Sequence, residues 1–392
     1  MQLIKPDTNI DFLGKRQLAF LVSGLLLLVT VASLMVRGGP NYGIDFVGGM
    51  LVQVRFHQPT SAVEIKDALK PIGLDDSLVQ HFGEEGNEFL IRTEKAGLKL
   101  EGLADRIRET LAESYPQGFE VRRVEMVGPK VGKDLRRQAL LAIFYALLLI
   151  AVYISGRFEA KWGLAALMAA VLVGATLLVQ TLVAAWGGEE AGLVPLIVTA
   201  LVVTVAACWF LRLRYALGAI VALIHDVLIT VGVFSLLDKE FTLAIVAALL
   251  TIIGYSLNDT IVVFDRVREN LKRSAKTPLA QVINQSVNQT LSRTFLTSGT
   301  TLVVVGSLWV LGGGVIEDFA LALLVGVAVG TYSSVFVASP VILLMPQARP
   351  TGPKGRSTRR ARPQAQAEAP ARGATPAKQA ARSKRKGKKK RG

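Results

Sequence analysis

A single cysteine, Cys208, excludes an intramolecular disulfide, a CxxC redox pair and a cysteine-based zinc cage. The three histidines, His57, His81 and His225, lack the spacing of a metal site. No stretch fits GxxxxGK[ST], so the chain brings no P-loop of its own to draw energy from a nucleotide. Charge is scarce as well: 19% of the 392 residues are charged and 51% are hydrophobic, the profile of a polytopic membrane protein. Acidic residues nearly vanish at the C-terminal end, where residues 346–392 hold 16 Lys or Arg against one acidic residue, Glu368. The formal charge of +15 therefore belongs to that tail, and the chain before Pro346 sums to zero. This distribution argues against a nucleic-acid binder with a charged folded face.

What the sequence does have is long apolar runs. An α-helix needs about 20 apolar residues to cross the bilayer core. On that rule the first span is 17–36, preceded by the cytoplasmic N-terminus 1–16, and seven more follow at 137–155, 163–183, 193–211, 216–237, 241–264, 294–312 and 318–345. A basic start before an apolar run also fits a signal peptide, but the run is long for one and more spans follow. Eight spans place both termini on one side. Loops with Arg157 and Lys161, with Arg212 and Arg214, and with Arg266 to Lys276 are basic, as is the tail. Those with Glu189 and Glu190, Asp238 to Glu240, and Glu317 and Asp318 are short and mainly acidic. The positive-inside rule makes the first set, and both termini, cytoplasmic.

The polar region 37–136 is then extracytoplasmic. "MLVQVRF" from Met50 alternates as a strand, and Ser61 with Glu64 forms a capping box before an amphipathic helix. "SLVQHF" and "NEFLIRT" flank "GEEG" as a hairpin. "GLADRIRETLAESY" gives a second helix and Phe119 to Val127 a last strand. The order β-α-β-β-α-β predicts a small α+β ferredoxin-like domain. It holds no catalytic cluster, so a binding or relay domain is expected rather than an enzyme, and no cofactor is implied. The tail 346–392 has no apolar period and reads as disordered, with anionic lipid or ribosomal RNA as partners for its charge, or no specific partner.

Polar residues stand where hydrocarbon is expected. In "IGYSLNDTIVVFDRVREN", Asn258 and Asp259 follow an apolar run, with Tyr255 and Ser256 one turn earlier. A carboxylate in a membrane helix costs roughly 2.5–3.5 kcal/mol on insertion scales. Arg293, Thr297, Thr300 and Thr301 share a stripe on the next helix, expected to begin at Arg293. Arg293 at its edge is placed to pair with Asp259 at similar depth. Ionisable residues inside spans mark proton or ion pathways, and Asp259 is read as a proton-relay group opposite Arg293. The rival reading is helix-holding polar contact. For His225 and Asp226, about 15 Å into their helix at 1.5 Å per residue, both readings stay open, since adjacent residues point to different faces. "GVAVG" at Gly326 to Gly330 has GxxxG spacing, suited to close helix approach.

Five motifs in order carry a resemblance: "NYGIDFVGG" (41–49), "VGPKVGKDL" (127–135), "ALGAIVALIHDV" (216–227), "IGYSLNDTIVVFDRVREN" (253–270) and "LSRTFLTSGTT" (291–301). Together they resemble the SecF family, subunits of the bacterial SecDF protein-export complex within the resistance-nodulation-division superfamily. The resemblance implies partners SecD and the SecYEG translocon, a translocating unfolded polypeptide as cargo, membrane lipid around the bundle, and use of the proton-motive force at the cytoplasmic membrane. It also implies that the family's proton-pathway aspartate falls on Asp259 and its essential arginine on Arg293. The family has six spans, so the two hydrophobic segments near 160–208 form an insert, and the basic tail is a second departure. A lipid or small-molecule exporter of the same superfamily is disfavoured by the single small extracytoplasmic domain. An assembly scaffold is the other alternative.

Overall fold

The structure, a computed structural model, describes residues 9–82, 86–93, 102–159, 193–274 and 276–345, with scattered positions between 162 and 181. Residues 9–345 belong to one compact unit. The tail lies outside the described residues.

Helix α1 (Arg16–Arg37) leads to a short turn of helix, α2 (Ile44–Val47), and then to the polar domain. That domain runs β1 (Gly49–Phe56), α3 (Ala62–Leu69), β2 (Leu78–Phe82), β3 (Glu88–Thr93), α4 (Leu103–Ser114), β4 (Phe119–Val127), the order read from the sequence. All pairings are antiparallel and the sheet order is β2-β3-β1-β4. Alternation on β1 sends Met50, Val52, Val54 and Phe56 to one face, where they pack with Ile65 and Leu69 of α3 and Ile107 and Leu111 of α4. Each such side chain removed from water contributes about 1.5–3 kcal/mol. The capping box at α3 is complete: Ser61 Oγ accepts from Glu64 N–H, and the Glu64 carboxylate accepts from Ser61 N–H.

The remaining helices are α5 (Pro129–Glu159), α6 (Leu193–Phe210), α7 (Arg214–Leu236), α8 (Leu243–Arg273), α9 (Leu279–Leu311) and α10 (Gly314–Ser333). The last continues through a π-helical turn, Ser334–Ala338, to Leu344. Pro340, which has no N–H to give to the carbonyl four residues back, follows that turn, and Ser339 Oγ donates to Ser334 O at 2.8 Å. Among the described residues six helices are long and apolar enough to cross a membrane: α1, α5, α7, α8, α9 and α10 with its continuation. Eight were expected. Segment 163–183 lies largely outside the described residues, and at 193–211 the structure has helix α6, Leu193–Phe210, within which Leu201–Phe210 forms a shorter apolar stretch. This stretch packs against the bundle core, where Cys208 is fully buried.

Two boundaries differ from the span rule. Helix α8 runs to Arg273 and α9 starts at Leu279, so Arg293 lies inside a helix rather than at its start, and the basic connection 266–273 is helical. The reason is length: helices of 31 and 33 residues rise about 45–50 Å, whereas hydropathy marks only the ≈ 30 Å that hydrocarbon covers.

Two motifs meet at the foot of the sheet domain. Gly48 has φ +84, and a Cβ there would fall 2.7 Å from Pro129 Cα. Glycine is therefore required for the chain leaving β4 into α5 to pass behind the start of β1.

Candidate functional site: buried carboxylates among the helices

Helix α7 is the most buried of the six, and α1 and α9 are the most exposed. Close approach between α8 and α10 is set by glycine. A Cβ on Gly326 would collide with the Ile252 side chain, and one on Gly330 would meet Ser256 Cβ at 2.9 Å. The small-residue spacing read at 326–330 thus serves packing, and it brings Ser256 of α8 and Ser333 of α10 to the same point on α7.

That point is Asp226, which is fully buried. Ser256 Oγ donates to Asp226 Oδ2 at 2.6 Å and Ser333 Oγ to the same oxygen at 2.8 Å. The other oxygen faces His225 Nδ1 at 2.9 Å. His225 does not point away from its neighbour, as adjacent positions on a helix suggest; its ring turns back and pairs with it. His225 Nε2 lies 3.1 Å from Ser23 Oγ of α1, Ser23 lies 3.2 Å from Tyr332 OH, and Tyr332 OH donates to Ala19 O at 2.8 Å. Following donors back along this series, Ser23 gives its proton to Tyr332 and accepts from His225 Nε2–H. Tyr332 stacks on the His225 ring with centroids 6.2 Å apart.

Asp259 forms a second locus one turn away on α8. It is 4% exposed and accepts from Ser298 Oγ of α9 at 3.2 Å; Thr331 Oγ1 of α10 lies 2.8 Å from Ser298 Oγ. Arg293 is exposed and forms no ion pair with Asp259 within 4.0 Å among the described residues, although its charge is near enough to act on it. The expected direct pairing is therefore replaced here by Ser298, which sits on the inward face of α9 while Arg293 sits on the outward one. Of the other polar residues expected around Asp259, Tyr255 OH donates to Thr301 Oγ1 at 3.2 Å. Thr297 and Thr300 bond back to carbonyls of their own helix, and Asn258 is exposed. Ser23, Ser298, Thr331, Tyr332 and Ser333 were not picked out from sequence. "TYSS" at 331–334, four polar residues within an apolar run, was the available signal. Among the described residues no group of His, Cys, Asp and Glu is arranged to hold a metal ion.

Six apolar helices of spanning length among the described residues, a small antiparallel sheet domain and carboxylates held by hydroxyls between helices define a multi-pass membrane protein with polar groups buried in its bundle. The family described as SecD/SecF GG Motif matches residues 33–60, and Protein export membrane protein SecD/SecF, C-terminal, matches residues 106–187 and 183–348. The chain is 44% identical over 352 residues to the protein translocase subunit SecF of Magnetococcus marinus, covering 88% of this chain and 94% of that one. It is 36% identical over 335 residues to the subunit of the same name from Escherichia coli O157:H7, covering 85% and 87%. The crystal structure of SecDF, a translocon-associated membrane protein from Thermus thermophilus, aligns with a TM-score of 0.62 at 30% identity. It covers 87% of this chain, which spans 39% of that longer chain. The chain belongs to the SecF family of protein translocase subunits.

Proposed function

We propose that this chain works with SecD, beside the SecYEG channel of the cytoplasmic membrane, to promote protein export at the expense of the proton-motive force. The observation that supports this best is the pair of carboxylates buried between helices α7, α8, α9 and α10: Asp226, held by hydroxyls from α8 and α10, and Asp259, held by one hydroxyl from α9. Ionisable groups inside spanning segments mark proton and ion paths. Moving one charge through the membrane potential is worth about 2.3 kcal/mol per 100 mV, so a few protons per cycle drive a domain movement of modest cost.

In this reading Asp259 takes up and releases the proton, and Arg293, on the outward face of α9, alternates between the companion subunit's surface and Asp259. Protonation changes which helix holds the carboxylate. The resulting shift tilts the ferredoxin-like domain, set on the outer side with both termini cytoplasmic, against the emerging unfolded chain. Lipid surrounds the exposed faces of α1 and α9, and the charge of the basic tail suits anionic headgroups or the ribosome.

The test uses membrane vesicles containing this chain with its SecD. Asp259→Asn is expected to abolish the gradient-dependent part of export, and Ser298→Ala, which keeps the carboxylate and removes its hydrogen bond, to slow it severalfold. Wild-type export by Asp259→Asn at normal abundance would refute the relay role.

A further inference from the structure

The turn joining α7 to α8 carries three consecutive charges, Asp238, Lys239 and Glu240, and each is paired to a different element. Asp238 meets Arg37 at the end of α1. Lys239 meets Asp318 at 2.7 Å and Glu317 at 3.7 Å at the start of α10. Glu240 meets Arg92 of β3 at 2.8 Å.

Exposure separates the three. The side chains of Arg37 and Asp238 are 40% and 65% exposed, whereas those of Arg92 and Glu240 are 5% and 22%. Exposed pairs contribute little, and the Arg92–Glu240 pair is the one held away from water. Arg92 is therefore the contact that matters.

It lies on the sheet face opposite Phe89 and Ile91, which point into the domain core. Its second guanidinium nitrogen donates to Tyr42 O at 2.6 Å. Tyr42 in turn belongs to a short strand-like segment laid along the start of α8: Gly43 N–H donates to Phe241 O at 2.9 Å and Phe241 N–H to Asn41 O at 2.6 Å. Asp45 Oδ2 accepts from Leu243 N–H at 2.8 Å, satisfying a donor in the first turn of α8. The end of β3, segment 41–45 and the junction of α7 with α8 are thus one hydrogen-bonded assembly. Asp226 lies on one of those helices, and Ser256 and Asp259 on the other.

We infer that Arg92 and Glu240, braced by Tyr42 and Asp45, are the coupling through which movement of the α7–α8 pair reaches the sheet domain. They are positioning residues for translocation, remote from the protons themselves. The inference rests on the proton-driven reading above. A bundle whose helices shift without this contact leaves the domain behind, so proton movement and export separate.

The experiment measures gradient-driven export, proton flux reported by a pH-sensitive dye, and subunit abundance, in vesicles carrying this chain with its SecD. Arg92→Met and Glu240→Ala are each expected to lower export about tenfold, the upper part of the range for mutations along a coupling element, with flux and abundance unchanged. The double variant is expected to lose no more than either single one, because the two act as a unit. Glu240→Gln, which keeps an acceptor for Arg92, retains most of the export. Wild-type export in the single variants, multiplicative loss in the double variant, or a fall in flux or abundance that parallels export would overturn the coupling. Asp259→Asn is run alongside: if it exports normally, the proton-driven reading fails, separately from the result for the ion pair.

Discussion

Ser256 and Ser333 donate to one oxygen of Asp226, from α8 at 2.6 Å and from α10 at 2.8 Å, so a single buried carboxylate oxygen ties three helices together. Removing either hydroxyl leaves that oxygen one donor short in a place water does not reach. Ser256→Ala and Ser333→Ala are each expected to cost about 1–3 kcal/mol, the range for leaving a buried polar group short of a hydrogen bond. Thermal unfolding in detergent checks this, and two variants melting with the wild type would show that the serines do not hold Asp226.

Gly48 offers a sharper structural test. Its φ of +84 and the 2.7 Å approach of Pro129 Cα to a would-be Cβ both oppose any side chain. Gly48→Ala is expected to destabilise the junction of sheet domain and α5 by about 1–3 kcal/mol and to lower membrane abundance. Gly254→Ala is the control, because a Cβ there meets nothing within 4 Å.

The N-terminal segment is held by side-chain amides. Asn288 takes both backbone groups of Ile10, its Oδ1 accepting from N–H and its Nδ2 donating to C=O, each at 2.9 Å. Asn284 accepts from Phe12 N–H at 2.9 Å and donates to Ile10 O at 3.0 Å. Asn284→Ala and Asn288→Ala together are expected to release this segment from α9, seen as faster trypsin cleavage at Lys15 and Arg16 than in the wild type. Equal cleavage rates would mean that the amide contacts contribute nothing to holding it.

Lys239 supplies a pH signature outside the membrane. Burial opposes its charge, but the hydrogen bond to Asp318 and the charges of Asp318 and Glu317 outweigh burial and raise its pKa above the ordinary 10.5. A raised folded pKa means that the stabilisation is full below 10.5 and fades as pH climbs through the raised value. Lys239→Met is therefore expected to lower the melting temperature slightly at pH 8, by the under 1 kcal/mol of a partly exposed pair. The difference from wild type should shrink in strongly alkaline buffer. A difference that grows with pH would contradict the assignment.

The sheet domain was the most legible part. Period-two alternation in "MLVQVRF" and the Ser61–Glu64 pair are local signals, and the strand order β-α-β-β-α-β follows from them because each element buries one face. Helix ends in the bundle were less legible, since hydropathy reports only the apolar portion of α8 and α9. The candidate site was half legible: a carboxylate in an apolar run announces itself at Asp259 and Asp226, but a serine hydroxyl such as Ser298 costs little in a helix and leaves no comparable mark.

By itself, then, the sequence determined that the chain crosses a membrane repeatedly, carries one small polar domain and buries carboxylates at Asp226 and Asp259, because each of these rests on local hydrophobicity and period. Only the tertiary structure decided the partners. Which hydroxyl reaches Asp259 depends on how α9 packs on α8, which charge of the turn 238–240 grips the sheet depends on where β3 lies, and which serines hold Asp226 depends on how closely α7, α8 and α10 approach. That approach is set by glycines and packing between residues far apart in the chain.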